Sequence, residues 1–121
     1  MDRLLFIQYP KCGTCRKAAK WLKDNNIDVE SRSIVEDNPT EKELEEWIKL
    51  SNLPINKFFN TSGQLYKENN LKDKVKSASE KELISILASN GMMVKRPIVV
   101  GKSFVLVGFN ENEWSNILIE K

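Results

Sequence analysis

Histidine is absent from this 121-residue chain, which removes Ser-His and Cys-His nucleophile systems and the imidazole ligands of many zinc sites. Cysteine occurs only at Cys12 and Cys15, half of what a closed structural zinc site requires. A metal site within one chain is therefore not expected, and no cofactor is expected either. Long apolar runs are also missing. The opening "MDRLLFIQYP" is interrupted at Gln8 and Pro10, too soon for a signal peptide or a membrane span. The expectation is a cytoplasmic protein with no membrane partner. Neither sign of charge dominates: 19 basic and 17 acidic residues are scattered to a net +2, so no field marks nucleic acid as a direct partner. Repeats, low-complexity tracts and linkers are lacking. At 121 residues and 40% hydrophobic content the chain can pack one core and not two, so residues 1–121 are read as a single domain.

What is present follows a legible order. "LLFIQY", Leu4 to Tyr9, has too many adjacent apolar residues for an amphipathic helix and suits a buried strand. After Gly13, the residues Cys15, Ala18, Ala19 and Leu22 recur at helical spacing and predict one buried helix face. "NNIDVESRSI" reads as a turn and a second strand with Ile27 and Val29 inward, parallel to the first. Thr40 and Glu43 form a capping-box pattern before a helix with Leu44, Trp47 and Ile48 on its apolar stripe, and Pro54 ends that stretch. From Ile55 to Lys76, the anchors Phe58, Phe59, Leu65, Tyr66 and Leu71 are intermittent, which predicts short helical pieces and loops. Ser79 and Glu82 open a further helix by a second capping box, with Leu83, Ile84 and Leu87 facing the core. "RPIVVGKSFVLVGF" predicts a hairpin turning at Gly101 and Lys102, and Asn110 with Glu113 opens a last helix carrying Trp114, Ile117 and Leu118.

The order βαβ, helices, ββα, with a CxxC between the first strand and the first helix, describes an α/β thioredoxin-like fold. At a helix N-terminus Cys12 faces unpaired N–H groups and the positive end of the helix dipole, which favours the thiolate and makes it the expected nucleophile. Cys15, one turn deeper, is placed to attack a mixed disulfide and resolve it. Lys11, Arg16 and Lys17 add positive charge nearby. Two small apolar fillers at a helix start would give the same spacing, but the preceding strand and the absence of other cysteines favour a redox pair.

The segments "YPKCGTCRKAAKWL", "MMVKRPIVV" and "VGFNENE" resemble the arsenate reductase (ArsC) family, within which the Spx/MgsR group lies, and the likeness runs over essentially the whole chain. It implies a thioredoxin-like, glutaredoxin-like mixed sheet of about four strands, with a helical insertion between strands 2 and 3 where residues 40–89 fall. It also implies that Arg96 and Pro97 face the cysteine loop, that Pro97 follows a cis peptide bond, and that the Arg96 guanidinium partners a thiolate or an oxyanion. Glutaredoxin-linked arsenate reductases keep a serine at the position of Cys15 and three arginines around the oxyanion. Only Arg96 matches here: Asn60 stands for one of the others, and "GKSFVLVGFNENE" offers no counterpart to the third. Without two bidentate partners, arsenate should be held weakly. Spx-type proteins share the CxxC and the "RPI…VGxNE" ending, and likeness to them implies a redox switch docking on the C-terminal domain of the RNA polymerase α subunit. Pro54 replaces a loop glycine that supports such docking, and the tail "NILIEK" lacks a strongly basic end. Two readings stay open. A thiol–disulfide oxidoreductase acting on a small thiol or a protein disulfide, and not an efficient arsenate reductase, ranks ahead of a redox-sensing regulator.

Overall fold

The computed structural model describes residues 4–61 and 63–119. Glu120 and Lys121 of the tail "NILIEK" lie outside them. Strand β1 (Leu4–Gln8) pairs in parallel with β2 (Val29–Ser33) and antiparallel with β3 (Ile98–Val100), which pairs antiparallel with β4 (Val105–Val107). The resulting order, β2-β1-β3-β4, is the mixed four-stranded sheet expected. Ile27 falls just before β2, and the β3–β4 connection is a wider loop than the expected two-residue turn, closed by the Gly101 N–H donating to the Phe104 carbonyl at 2.9 Å.

Successive strand residues point to opposite faces, so Ile7, Ile98 and Val105 line one face while Phe6, Val99 and Leu106 line the other. On the first face lie α2 (Glu41–Ser51), α3 (Gln64–Glu68), α4 (Leu71–Ser77) and α5 (Glu80–Ser89), with 3-10 turns at Ile55–Phe58 and Gly91–Met93. Leu44, Trp47, Ile48, Leu83, Ile84 and Leu87 bury there as their spacing predicts. This is the helical insertion between β2 and β3. On the second face, α1 (Gly13–Asp24) and α6 (Glu111–Leu118) bring Ala18, Leu22 and Trp114 against the sheet. Trp114 is fully buried, meets Phe109 edge-on at 4.8 Å, and donates from Nε1 to the Gly108 carbonyl at 3.1 Å, which satisfies its one polar atom.

The caps show why these helices start where they do. At α2 both halves of the box form: the Thr40 side chain accepts from the Glu43 N–H, and the Glu43 carboxylate accepts from the Thr40 N–H at 3.0 Å. At α5 only the first half forms, the Ser79 hydroxyl accepting from the Glu82 N–H at 3.2 Å, so the expected second box is incomplete. Asn110 caps α6 by accepting from the Glu113 N–H at 3.0 Å. Within α1, Cys15, Ala18 and Leu22 are buried but Ala19 is exposed, because the helix meets the sheet along a stripe narrower than the predicted face. Among the described residues no helix is long and apolar enough to cross a membrane.

Candidate active site

Helix α1 begins where β1 ends, and its first residues fix both cysteines. Cys12 is the N-cap, with extended backbone (φ −88°, ψ 121°), and its N–H donates to the Tyr9 carbonyl at 2.9 Å. Its Sγ accepts the Cys15 N–H at 3.4 Å, so the thiol takes the place of the capping oxygen found on most helices. Cys15 faces inward, with 1% of its surface exposed, and its Sγ accepts the Tyr9 N–H at 3.5 Å. Tyr9 thus holds both cysteines through its own backbone.

Environment drives the two thiols apart. Partial burial pushes the Cys12 thiol up, but the Cys15 N–H, the Cys15 thiol and the positive charge of Arg96 together carry it below its ordinary value of 9.0. Burial pushes the Cys15 thiol up to about 12, the Tyr9 N–H opposes this, and the neighbouring Cys12 adds to it. The pair therefore combines a half-buried, ionisable sulfur with a buried, protonated one.

Arg96 precedes β3 and is joined to the buried Pro97 by a cis peptide bond, the geometry the family resemblance implied. Its guanidinium lies over the Tyr9 ring, 5.1 Å from the centroid. Nε and Nη1 are buried and have no hydrogen-bond partner among the described residues. Arg96 favours the Cys12 thiolate by its positive charge and by a side-chain hydrogen bond.

The other sequence candidates are dispersed. Lys11 and Lys17 are exposed, and Arg16 turns its Nε to the Pro10 carbonyl at 3.0 Å. The Asn60 side chain crosses to the second 3-10 turn and donates to the Met92 carbonyl at 3.4 Å. Pro54 is exposed and opens the first 3-10 turn at φ −67°. Among the described residues no group of three or more Cys, Asp or Glu side chains could hold a metal ion. Sequence reasoning missed Tyr9, whose role depends on contacts with the cysteines and with Arg96. It missed Arg32 too, whose Nη1 and Nη2 donate to the Glu43 carboxylate at 2.7 and 2.9 Å.

Comparison with known proteins places this geometry in context. The ArsC family model matches residues 7–117. Bacillus subtilis YusI is 46% identical over 111 residues, covering 92% of this chain and 94% of YusI. The regulatory protein MgsR of the same organism is 30% identical over 112 residues, covering 93% of this chain and 87% of MgsR. Among solved structures, an ArsC family related protein from Bacteroides fragilis superposes with a TM-score of 0.92 at 56% identity, covering 95% of this chain and 97% of its own.

Proposed function

The chain belongs to the ArsC family, and from that membership we propose that it is a thiol–disulfide oxidoreductase in which Cys12 is the nucleophile and Cys15 the resolving thiol. The observation that carries this reading is the placement of the two sulfurs: Cys12 caps α1 and accepts an N–H, while Cys15 is buried one turn below it. The Cys12 thiolate attacks one sulfur of a substrate disulfide, and the other substrate sulfur leaves as a thiolate. Cys15 then loses its proton to solvent or to that leaving thiolate, and its sulfur displaces the second substrate thiolate from Cys12. Two electrons pass from the protein to the substrate. Two molecules of an external thiol then regenerate the dithiol, the first forming a mixed disulfide and the second displacing it, and leave joined as a disulfide. Arg96, with Pro97 fixing its approach, stabilises the Cys12 thiolate by its charge. Arsenate would find only that one arginine, so efficient arsenate reduction is not part of this function.

The test is turnover of bis(2-hydroxyethyl) disulfide with glutathione as reductant. Wild type should turn over, Cys12→Ser should be inactive, and Cys15→Ser should accumulate a mixed disulfide visible by mass spectrometry. Activity retained in Cys12→Ser overturns the assignment.

The identity with MgsR favours a second reading, a redox-responsive regulator docking on the C-terminal domain of the RNA polymerase α subunit. Binding to that purified domain, changing on oxidation of the cysteine pair and accompanied by negligible disulfide turnover, would select it over the first.

A further inference from the structure

The two edges of the sheet differ. Strand β4 has three residues, and α2 lies close beside it. Strand β2 has five, Val29–Ser33, pairs with β1 alone, and leaves Glu30 and Ser31 exposed. Its backbone groups sort by position. The Ile34 N–H donates to the Gln8 carbonyl at 3.0 Å, so Arg32 and Glu30, two and four residues earlier, also turn their N–H and C=O groups toward β1. Those of Val29, Ser31 and Ser33 point away from the sheet. The Ser33 carbonyl accepts the Asp37 N–H at 3.1 Å, and the other outward groups have no backbone partner among the described residues. A row of open donors and acceptors is a template for another strand.

The charges on β2 select that strand. Glu30 and Arg32 flank Ser31 and share the face on which Arg32 meets Glu43 and Trp47. Glu30 has no ion-pair partner among the described residues. Arg32 donates from Nε to the Asp37 carbonyl, from Nη2 to Asn38 and Glu43, and once from Nη1 to Glu43, which leaves the second Nη1 hydrogen unused. We propose that β2 pairs with β2 of a second copy of this chain, antiparallel about a two-fold axis at Ser31, so that two sheets join into one. In that register Ser31 faces Ser31 of the copy and Val29 faces Ser33, and all the outward groups fall in hydrogen-bonded pairs. Glu30 falls opposite Arg32, twice by symmetry, at the positions where cross-strand side chains approach most closely, with Cβ atoms about 5 Å apart. Glu30 of the copy takes the place of Asp37, which is 74% exposed and 3.5 Å from the Arg32 Nε. Centring the pair one residue to either side would set Glu30 against Glu30 or Arg32 against Arg32, so the charges admit one register and oppose its neighbours.

A single short strand makes a small interface, so the dimer should be weak, with a dissociation constant on the order of 100 µM. Sedimentation equilibrium of the reduced protein from about 10 µM to about 1 mM should show the mass rising from 14.0 kDa toward twice that value. Glu30→Lys sets a cation against Arg32 and should weaken association by about tenfold, with Glu30→Gln between it and wild type. Ser31→Pro removes an N–H that faces away from β1, so it should leave the sheet of each copy paired and abolish association. Amide hydrogen exchange gives a readout within the strand: the Ser31 and Ser33 N–H groups should exchange more slowly at the high concentration than at the low, while the Arg32 N–H, already bonded to β1, should not change. Circular dichroism at low concentration checks that each variant is folded, and if Ser31→Pro is not, Glu30→Lys and the amides decide. A monomer throughout the range, a dimer whose association Glu30→Lys leaves unchanged, or Ser31 exchange independent of concentration would overturn the proposal.

Discussion

The guanidinium of Arg96 lies over the ring of Tyr9, its central carbon 5.1 Å from the centroid, while the backbone of Tyr9 hydrogen-bonds to both Cys12 and Cys15. One residue at the end of β1 therefore links the charge that favours the thiolate to the two sulfurs. Tyr9→Leu removes the π face that holds the guanidinium and should raise the Cys12 pKa, whereas Tyr9→Phe keeps the face and should leave it unchanged. Thiolate ultraviolet absorbance against pH, in a Cys15→Ser background so that one thiol titrates, reads this directly. Identical titrations for Tyr9→Leu and Tyr9→Phe would show that the ring does not position Arg96.

The two thiols should also differ in reactivity. With Cys12 held below 9.0 and Cys15 pushed up to about 12, limiting iodoacetamide at neutral pH should label Cys12 faster by at least about tenfold. Peptide mapping decides it, and preferential labelling of Cys15 would exchange the two roles. As pH rises, Cys12 labelling should reach its plateau first, with Cys15 still largely protonated.

Away from the cysteines, Arg32 and Glu43 form the best-defined ion pair. The Arg32 side chain is 13% exposed, lies over the Trp47 ring and donates twice to Glu43. Those bonds hold the Glu43 carboxyl down to about 2 from 4.5, against burial and with help from the Thr40 cap. A folded-state value below the unfolded one means that this stabilisation is complete above about pH 4.5 and is lost as pH falls toward 2. Glu43→Gln should cost on the order of 2 kcal/mol at neutral pH, allowing for screening of a partly exposed pair. In urea titrations, the gap between variant and wild type should close near the acid end. A gap independent of pH would show that the ionisation of Glu43 does not account for the loss, since glutamine can still complete the Thr40 cap.

Gly91 is a packing requirement rather than a turn requirement. A Cβ there would sit 1.8 Å from the Ile34 carbonyl oxygen, a backbone atom that cannot swing aside. Gly91→Ala should therefore destabilise by about 3 kcal/mol or more. Gly13→Ala, with nothing within 4 Å of the new carbon, should be close to neutral. Thermal melting of the two variants makes the comparison, and equal melting temperatures would mean that the 34–35 segment yields.

Local patterns were the readable part of this fold. The apolar run of β1, the Thr40–Glu43 box and the stripe of Leu44, Trp47 and Ile48 depend on neighbours within a few residues, and each stands as its pattern predicts. Ala19 shows the limit of spacing: periodicity gives the middle of a buried face, but how far burial extends around the helix depends on what packs there, and Ala19 is left in solvent. The CxxC and its place at a strand-to-helix junction were visible for the same local reason. The contacts of Arg96 with Tyr9 and of Arg32 with Glu43 were not, since each joins residues on different elements and no local spacing says which of them meet.

Of the four described residues with positive φ, three are asparagines, Asn26, Asn52 and Asn70, and only Gly108 is a glycine. Asparagine tolerates this left-handed backbone through its short polar side chain, at a small cost in strain that glycine would not incur. Glycine, however, would give the denatured chain more conformations to lose on folding. With only five glycines in the whole sequence, the chain accepts a little strain at these bends in exchange for a stiffer denatured ensemble. Changing all three asparagines to glycine sets relief of strain against added disorder, and the net change in urea stability should stay within about 1 kcal/mol, with no contact in the folded protein accounting for it. Part of what keeps this protein folded is thus a property of its unfolded form, which has fewer shapes to give up.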